Sequence, residues 1–382
     1  MDGRPFSSRL YRGACCCVLF FLAASASFNG FYDKWHFREP GVTGASNPAN
    51  GSMSGYNLAD MLSGTAARPF VYRQLIPATA NWLGSTIPKP VQGFLWKHLS
   101  RDGSPSSLSV DPAYSFRYTV VYTVTFLFAL LAVFAMYLVC NALEMPPASS
   151  ILSPVLMILL IPYLSSVGGY FYDYAELAFM ALALWMALKF DWWWMLPLVA
   201  LATWNKESFL LVTLTLYPIV RRRHSFASAL AGTALLAATC AAVYWAVSSR
   251  FAQNPGGHML MQWRLQLDYF LHPQNFFEIE QTYGIRMFRA FSLLPLALIA
   301  WTAWRGWPRL PLAIRRHGQI AATINLPLFF LFCAPREIRD FSLLYMFFLL
   351  LLAVNFRAEM TDPDTSAPAS VPEEMQESLE ST

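Results

Sequence analysis

The segment that most constrains this chain is residues 192–220, because it is membrane-like at both ends and polar in its middle. Residues 205–208 (NKES) place a lysine and a glutamate where a membrane span would carry neither, and such charges are costly in lipid. Two structures fit this pattern: one long helix with a central ion pair, or two short helices meeting at a polar elbow. Each arm is short for a span, and Pro197 and Pro218 favour broken helices. The sequence therefore predicts the elbow, either as two short spans or as a re-entrant hairpin.

The composition is typical of a multi-span helical membrane protein. Of 382 residues, 56% are hydrophobic and only 13% are charged, and the mean hydropathy is +0.38. A soluble domain does not need so apolar a chain. The net charge of +4 is mild and gives no support for a nucleic-acid partner. The six cysteines show no zinc spacing or disulfide framework, and the histidines form no HExxH motif. We therefore expect no metal site and no cofactor.

The apolar segments predict an all-α, polytopic transmembrane helical bundle with about ten membrane segments, forming one membrane domain over residues 1–357. Residues 13–28 are either the first span or a cleaved signal peptide, and we favour the uncleaved span. Residues 358–382 are acidic and rich in Ser and Pro, which predicts a disordered cytoplasmic tail. Besides the elbow pair, the predicted spans are 13–28, 117–143, 150–168, 173–190, 225–248, 288–304, 318–334 and 341–357.

The basic residues between these spans predict the orientation of the bundle. Residues 221–223 are three arginines and 305–317 hold four more, which places both segments in the cytoplasm by the positive-inside rule. Residues 29–116 and 249–287 are then long outer loops, and both termini lie inside. Within the first loop, residues 69–99 have a helical apolar face and are predicted to lie along the membrane surface. A bacterial cytoplasmic (inner) membrane, with membrane lipid as its surroundings, is the expected location.

Five clusters of polar residues all fall on the predicted outer side, although they come from separated parts of the chain. The inner loops are mainly basic and have no comparable mixture of acids and bases. An active or binding site at the outer membrane surface needs this asymmetry, whereas a simple scaffold does not. We therefore expect the clusters to converge on one outward-opening cavity. They are residues 33–39, 68–73, 173–176, 206–207 and 336–340.

Three acids are the catalytic candidates. Asp33 directly follows the first span and is either a general base or an ordinary loop acid. Asp173 and Glu176 are three residues apart at the start of a helix and therefore share a face. They bind a cation, hold an arginine or cap the helix N-terminus.

The substrate-binding candidates are mainly basic. Arg336 and Arg339 are one helical turn apart beside the last span, a spacing that suits two forked donors on one phosphate. Pairing with neighbouring acids is the alternative. The Arg68–Arg73 region of the first loop suits a phosphate or a sugar ring, or anchors that loop at the interface. The remaining candidates are Arg68, Tyr72, Arg73, Lys206, Glu207 and Glu337.

Over roughly residues 12–357, this arrangement resembles the type C glycosyltransferases, which are polytopic enzymes that use polyprenyl-phosphate sugar donors. The resemblance rests on an acid just after the first span, surface helices in the first loop, a short-helix pair with Lys206 at its bend, and an arginine-bearing outer turn. It implies that Asp33 activates the acceptor and that Arg336, Arg339 and Lys206 hold the lipid-linked phosphate. The first loop has no Asp-x-Asp or Asp-Asp pair, and a WWDYG motif is absent.

Two other classes of protein remain open. A transporter or flippase for an anionic or lipid-linked substrate would use the elbow as a broken-helix site near the membrane midplane. The chain shows no inverted repeat, and its charges gather at one face instead of the middle. A non-catalytic envelope-assembly protein would use the same charges as structural pairs. Convergence of the five clusters on one groove distinguishes a site from this last alternative.

Overall fold

The computed structural model describes residues 6–35, 58–99, 112–166, 168–257 and 261–361. The described chain is almost entirely helical, in agreement with the predicted all-α class. Between α12 and α13, β1 (Ile279–Thr282) and β2 (Ile285–Phe288) form an antiparallel hairpin that the sequence analysis missed. Tyr283 and Gly284 form its two-residue turn, and both have positive φ. Residues 36–39 of the first polar cluster, and most of the predicted tail, lie outside the described residues.

Fifteen helices follow one another along the described chain, with short 3₁₀ turns between some of them. The turns are Phe70–Tyr72, Trp192–Met195, Pro273–Phe277, Trp307–Arg309 and Ile338–Leu344. The helices are α1 (Phe6–Asp33), α2 (Leu58–Ser63), α3 (Leu75–Thr86), α4 (Lys89–Leu99), α5 (Pro112–Ala142), α6 (Pro147–Leu164), α7 (Asp173–Lys189), α8 (Leu196–Asn205), α9 (Phe209–Thr215), α10 (Tyr217–Val220), α11 (Phe226–Arg250), α12 (Trp263–Leu271), α13 (Leu293–Gly306), α14 (Leu312–Phe332) and α15 (Tyr345–Thr361).

Five helical segments of the described chain are long and apolar enough to cross a membrane. This agrees with a membrane protein, as the composition predicts. The segments are Gly13–Asp33, Ala113–Ala142, Pro147–Leu164, Phe226–Arg250 and Ile338–Met360. Helices α9 and α10 together form a shorter apolar helical segment, Phe209–Val220.

Helix α7 occupies the centre of the bundle and packs against α5, α8 and α15. Its inner surface is lined by alanines, and Ala178, Ala181 and Ala183 are fully buried. Small side chains let neighbouring helix backbones approach closely. Because α7 is surrounded by other helices, its acidic first turn, which holds Asp173 and Glu176, is carried into the interior at one end of the bundle.

The polar elbow predicted from residues 205–208 is present, and a single long helix through this segment is not. Helix α8 ends at Asn205, Lys206 has an extended backbone (φ −156°, ψ 129°), and α9 begins at Phe209. The elbow is fixed by two hydrogen bonds to other segments. The Asn205 side chain donates to the Tyr172 carbonyl over 3.1 Å, and the Gln74 N–H donates to the Trp204 carbonyl over 3.1 Å. The elbow therefore lies between the first outer loop and the start of α7.

Candidate functional site

The central ion pair of the site joins the elbow to α7. Lys206 Nζ lies 2.6 Å from Glu176 Oε2, and the Glu176 side chain is only 5% exposed. Ser208 and Ser342 donate their hydroxyls to the other carboxylate oxygen over 3.0 and 3.1 Å. Glu176 therefore has partners on both oxygens and connects α7, the elbow and the turn before α15.

A second ion pair joins the elbow to the first outer loop. Arg73 Nη2 lies 3.2 Å from Glu207 Oε1, and Arg73 also donates to the Tyr172 hydroxyl. The Arg73 guanidinium carbon lies 4.3 Å from the centroid of the Tyr172 ring. Lys206 and Glu207 pair with different partners, Glu176 and Arg73, because the backbone is extended at Lys206 and turns at Glu207. The elbow charges therefore bind two different parts of the chain.

A third cation reaches the same end of α7 from the turn before α15. Arg339 Nη1 lies 3.1 Å from Asp173 Oδ2 and 3.2 Å from the Gly168 carbonyl, and Arg339 also pairs with Glu337. Asp173 Oδ2 accepts the Tyr170 N–H over 3.0 Å as well. Asp173 thus holds an arginine, which is one of the alternatives considered for it, and its hydrogen bond to Tyr170 lies in the turn before α7 and does not cap the helix.

Two tyrosines in the turn before α7 pack against the guanidinium groups of Arg73 and Arg339, and the sequence analysis missed them. The Tyr170 and Tyr172 rings are stacked, with centroids 5.2 Å apart. Arg339 lies 4.2 Å from the Tyr170 centroid, just as Arg73 lies over Tyr172. Residues 170–174 (YFYDY) combine several aromatic side chains with the acidic start of α7, and this pattern is the signal that would have identified the two tyrosines.

The eight charged residues expected to converge from the five clusters are Asp33, Arg73, Asp173, Glu176, Lys206, Glu207, Arg336 and Arg339. All of them except Asp33 and Arg336 do so, and Glu337 joins them. We call this set the ionic network; it consists of Arg73, Asp173, Glu176, Lys206, Glu207, Glu337 and Arg339. Side-chain exposures within its ion pairs run from 5% to 28%. The residues pack against one another instead of being spread along an open groove.

Arg336 lies outside the ionic network, and the expectation that Arg336 and Arg339 point the same way is wrong. Arg336 has φ +76°, and the 3₁₀ turn begins only at Ile338, so helical spacing does not apply to this pair. Arg336 instead lies 3.4 Å from Glu278 and over the Tyr269 ring. The two guanidinium groups consequently contact different parts of the molecule.

Asp33 lies at the exposed end of α1, beside the network but not in its ion pairs. The next residue, Lys34, pairs with Glu280 of the hairpin over 2.8 Å. The Lys34 carbonyl accepts the Gly169 N–H over 2.8 Å, which ties this end of α1 to the turn before α7. A Cβ on Gly169 would lie 2.6 Å from the Phe31 ring, so only glycine permits this approach.

The other two first-loop candidates have structural contacts. Arg68 donates to the Gly256 carbonyl over 2.6 Å and so fastens the first outer loop to the second. Tyr72 is buried and makes an edge-on contact with the Tyr244 ring. Across the described residues, no group of three or more His, Cys, Asp or Glu side chains is placed to hold a metal ion.

Five buried polar atoms of the ionic network have no hydrogen-bond partner among the described residues: Arg73 Nε, Asp173 Oδ1, Glu207 Oε2, Glu337 Oε1 and Arg339 Nε. Of these, Glu337 Oε1 lies in the ion pair with Arg339. Buried polar atoms are nearly always satisfied by protein, water or ligand. Comparison with protein-family models, curated proteins and solved structures finds no match for the chain. The unsatisfied atoms of the network are positions at which water or a ligand can bind.

The pKa of Glu337 makes the stability of this region pH-dependent. Burial raises the pKa of Glu337 from 4.5 to about 8; Arg339 lowers it, while Asp340 and Asp173 raise it further. Between these two pH values the folded protein binds a proton that the unfolded chain releases, so stability falls as pH rises. We expect the thermal unfolding temperature in detergent to decrease from pH 5 to pH 8, and to decrease less in Glu337→Gln.

Glu144→Gln is the control for this experiment, because Glu144 is an exposed carboxylate at the end of α5. It should keep the wild-type dependence on pH. An unchanged dependence in Glu337→Gln would show that another group is responsible.

Proposed function

We propose that this protein is an integral membrane glycosyltransferase that transfers a sugar from a polyprenyl-phosphate-linked donor on the extracytoplasmic face. The observation that carries the proposal is the ionic network, in which three cations from separated segments meet around two stacked tyrosines. Positively charged groups stabilise the negative charge that develops on a departing phosphate. Aromatic faces and unsatisfied polar atoms suit the sugar.

The cost of burying these charges supports a role beyond packing. Apolar residues of similar volume often replace a buried ion pair with no loss of stability, and sometimes with a gain. A fold that needed only a tightly packed centre would therefore not need Arg73, Lys206 and Arg339 with their acidic partners. Charges retained at one end of an apolar bundle are a mark of a binding or reaction site.

The unsatisfied atoms specify the kind of ligand. Arg73 Nε is a donor, whereas Asp173 Oδ1 and Glu207 Oε2 are acceptors. A sugar hydroxyl both donates and accepts, so a polyhydroxylated ring satisfies both kinds of atom. Arg73 and Arg339 then hold the donor, and Asp33, exposed at the end of α1, acts as base for the incoming acceptor hydroxyl.

The proposed topology has ten membrane segments. In addition to the five long apolar segments, the short or charged helices α7, α8, the α9–α10 pair, α13 and α14 cross or enter the membrane. Both termini are cytoplasmic, and the membrane is the bacterial inner membrane. The ionic network then lies near the extracytoplasmic end of the bundle, where polyprenyl-phosphate sugars are the donors.

Cysteine labelling tests this topology. In a variant without native cysteines, we expect Asp268→Cys to react with an impermeant maleimide in intact cells. Arg222→Cys should react only after the membrane is permeabilised, because the arginine run at 221–223 is cytoplasmic. The cysteine-free parent gives the background. Labelling of position 222 in intact cells would overturn the orientation.

The function is tested with purified protein in detergent and a panel of polyprenyl-phosphate monosaccharides that differ in their sugar. Binding of each donor and release of polyprenyl phosphate are measured by mass spectrometry. We expect one or a few donors to bind and to be consumed when the correct acceptor is supplied. Failure of the folded protein to bind any donor would reject the proposal that it is a glycosyltransferase.

A non-catalytic assembly protein is the second candidate, and the completeness of the Glu176 contacts favours it. Both oxygens of that carboxylate are satisfied within the chain, as in a structural ion pair. Such a protein requires the ionic network for folding and does not bind a lipid-linked sugar. The donor-binding measurement therefore separates the two candidates.

A further inference from the structure

A second charged feature lies at the other end of the bundle, near the end of α7 that carries Lys189. Arg223 follows α10 and donates to the Leu188 carbonyl over 3.2 Å. The arginine run at 221–223 therefore lies at the C-terminal end of α7. Here a cavity of about 800 Å³ opens between α10, α11 and α14. Its wall includes Tyr217, Arg221, Arg222, Phe226, Leu312 and Arg316.

The arginines of this cavity differ from those of the ionic network in lacking acidic partners. Arg221, Arg222 and Arg316 are all exposed, and none of them forms an ion pair with a described carboxylate. Arg221 donates to the His224 carbonyl over 2.7 Å. By contrast, Arg73 and Arg339 are each neutralised by carboxylates of the chain itself. Within the described residues, the cavity thus has an excess of positive charge that favours an anion.

Two helix N-termini increase this positive potential. Helix α11 has 25 residues and begins at Phe226, and helix α14 has 21 residues and begins at Leu312. Both of these first residues line the cavity. The N-terminus of a helix carries a partial positive charge and presents free N–H groups, so it attracts phosphate.

The walls of the cavity are apolar, which identifies the kind of anion. Phe226 and Leu312 are 61% and 59% exposed, and Tyr217 and Ile320 are half-buried beside them. A free inorganic anion makes no favourable contact with apolar walls. A phospholipid carries both a phosphate, which binds arginines, and acyl chains, which pack against apolar side chains. Basic pockets between membrane helices on the cytoplasmic side bind anionic headgroups in this way.

We propose that this cavity is a binding site for an anionic phospholipid of the surrounding leaflet. The lipid phosphate contacts Arg222 and Arg316 between the two helix N-termini, and the acyl chains lie along Phe226 and Leu312. The site is separate from the ionic network and does not depend on the function of that network. A bound lipid there would hold α10, α11 and α14 together.

Native mass spectrometry of the full-length protein, with phospholipids titrated into the detergent, tests the site. We expect dioleoylphosphatidylglycerol to bind more tightly than dioleoylphosphatidylcholine. In the double variant Arg222→Ala/Arg316→Ala, the affinity for dioleoylphosphatidylglycerol should fall roughly 10-fold or more, as expected for the loss of two cations near a lipid surface.

The matched control is Arg223→Ala/Arg309→Ala, which removes the same charge from the same end without altering the cavity wall. It should retain the preference for the anionic lipid, and all variants should unfold at similar temperatures. Equal binding of the two lipids by the wild type, or an equal loss in the control, would overturn the proposal. Displacement of the lipid by millimolar inorganic phosphate would instead indicate a site for free anions and would also overturn it.

Discussion

Glu176→Leu is expected to destabilise the folded protein by about 3–5 kcal/mol, because it leaves the Lys206 ammonium buried without its carboxylate. It also removes the acceptor of the Ser208 and Ser342 hydroxyls. The free energy of unfolding can be measured by titrating a folded detergent sample with a denaturing detergent and recording tryptophan fluorescence. A loss below about 1 kcal/mol would contradict a desolvated ion pair at this position.

The double variant Glu176→Leu/Lys206→Met distinguishes a charge effect from a packing effect. It removes both charges, so most of the stability lost in Glu176→Leu should return. The control is the partly exposed pair of Arg305 and Glu359, with side-chain exposures of 31% and 53%. Arg305→Ala should cost no more than about 1 kcal/mol, since solvent screens that pair. If the double variant is as unstable as Glu176→Leu, the cost arises from packing around Glu176.

The positions of the helices follow closely from the sequence, whereas the partners of the charged residues do not. Hydropathy locates membrane helices because a helix in contact with lipid or with the protein core needs a long run of apolar residues. The polar residues 205–208 interrupt such a run, and this interruption predicts the elbow. Which acid Lys206 contacts depends on the packing of α7 against the elbow, and no local pattern encodes it. The sequence analysis named no partner for Lys206, and the structure has Glu176.

Two details of the outer segments show where spacing alone is insufficient. Arg336 and Arg339 have helical spacing, but the backbone becomes helical only after Arg336. The β-hairpin between α12 and α13 is short, and its strands have little apolar alternation, so no periodic pattern identifies it in the sequence. Its Glu280 pairs with Arg289 within the same segment and with Lys34 at the end of α1, and only this second contact is long-range.

Asp33→Asn is expected to reduce sugar transfer by roughly 10²–10⁴-fold if Asp33 is the general base, while donor binding remains unchanged. The side chain is exposed at the end of α1, where an acceptor hydroxyl can reach it. An amide of nearly the same size cannot take up the proton, so the loss should appear in turnover. Transfer and donor binding are measured with the same purified samples.

Asp268→Asn is the matched control, because Asp268 is a highly exposed acid of α12 and is not part of the ionic network. It should retain full turnover. Arg73→Lys should weaken donor binding and leave the base in place, which is the opposite of the result expected for Asp33→Asn. The reason is that the lysine ammonium is a point charge and cannot reproduce the forked contacts of a guanidinium. Unchanged transfer by Asp33→Asn would exclude this residue as the base. The role would then have to pass to Asp173, whose Oδ1 lacks a hydrogen-bond partner among the described residues.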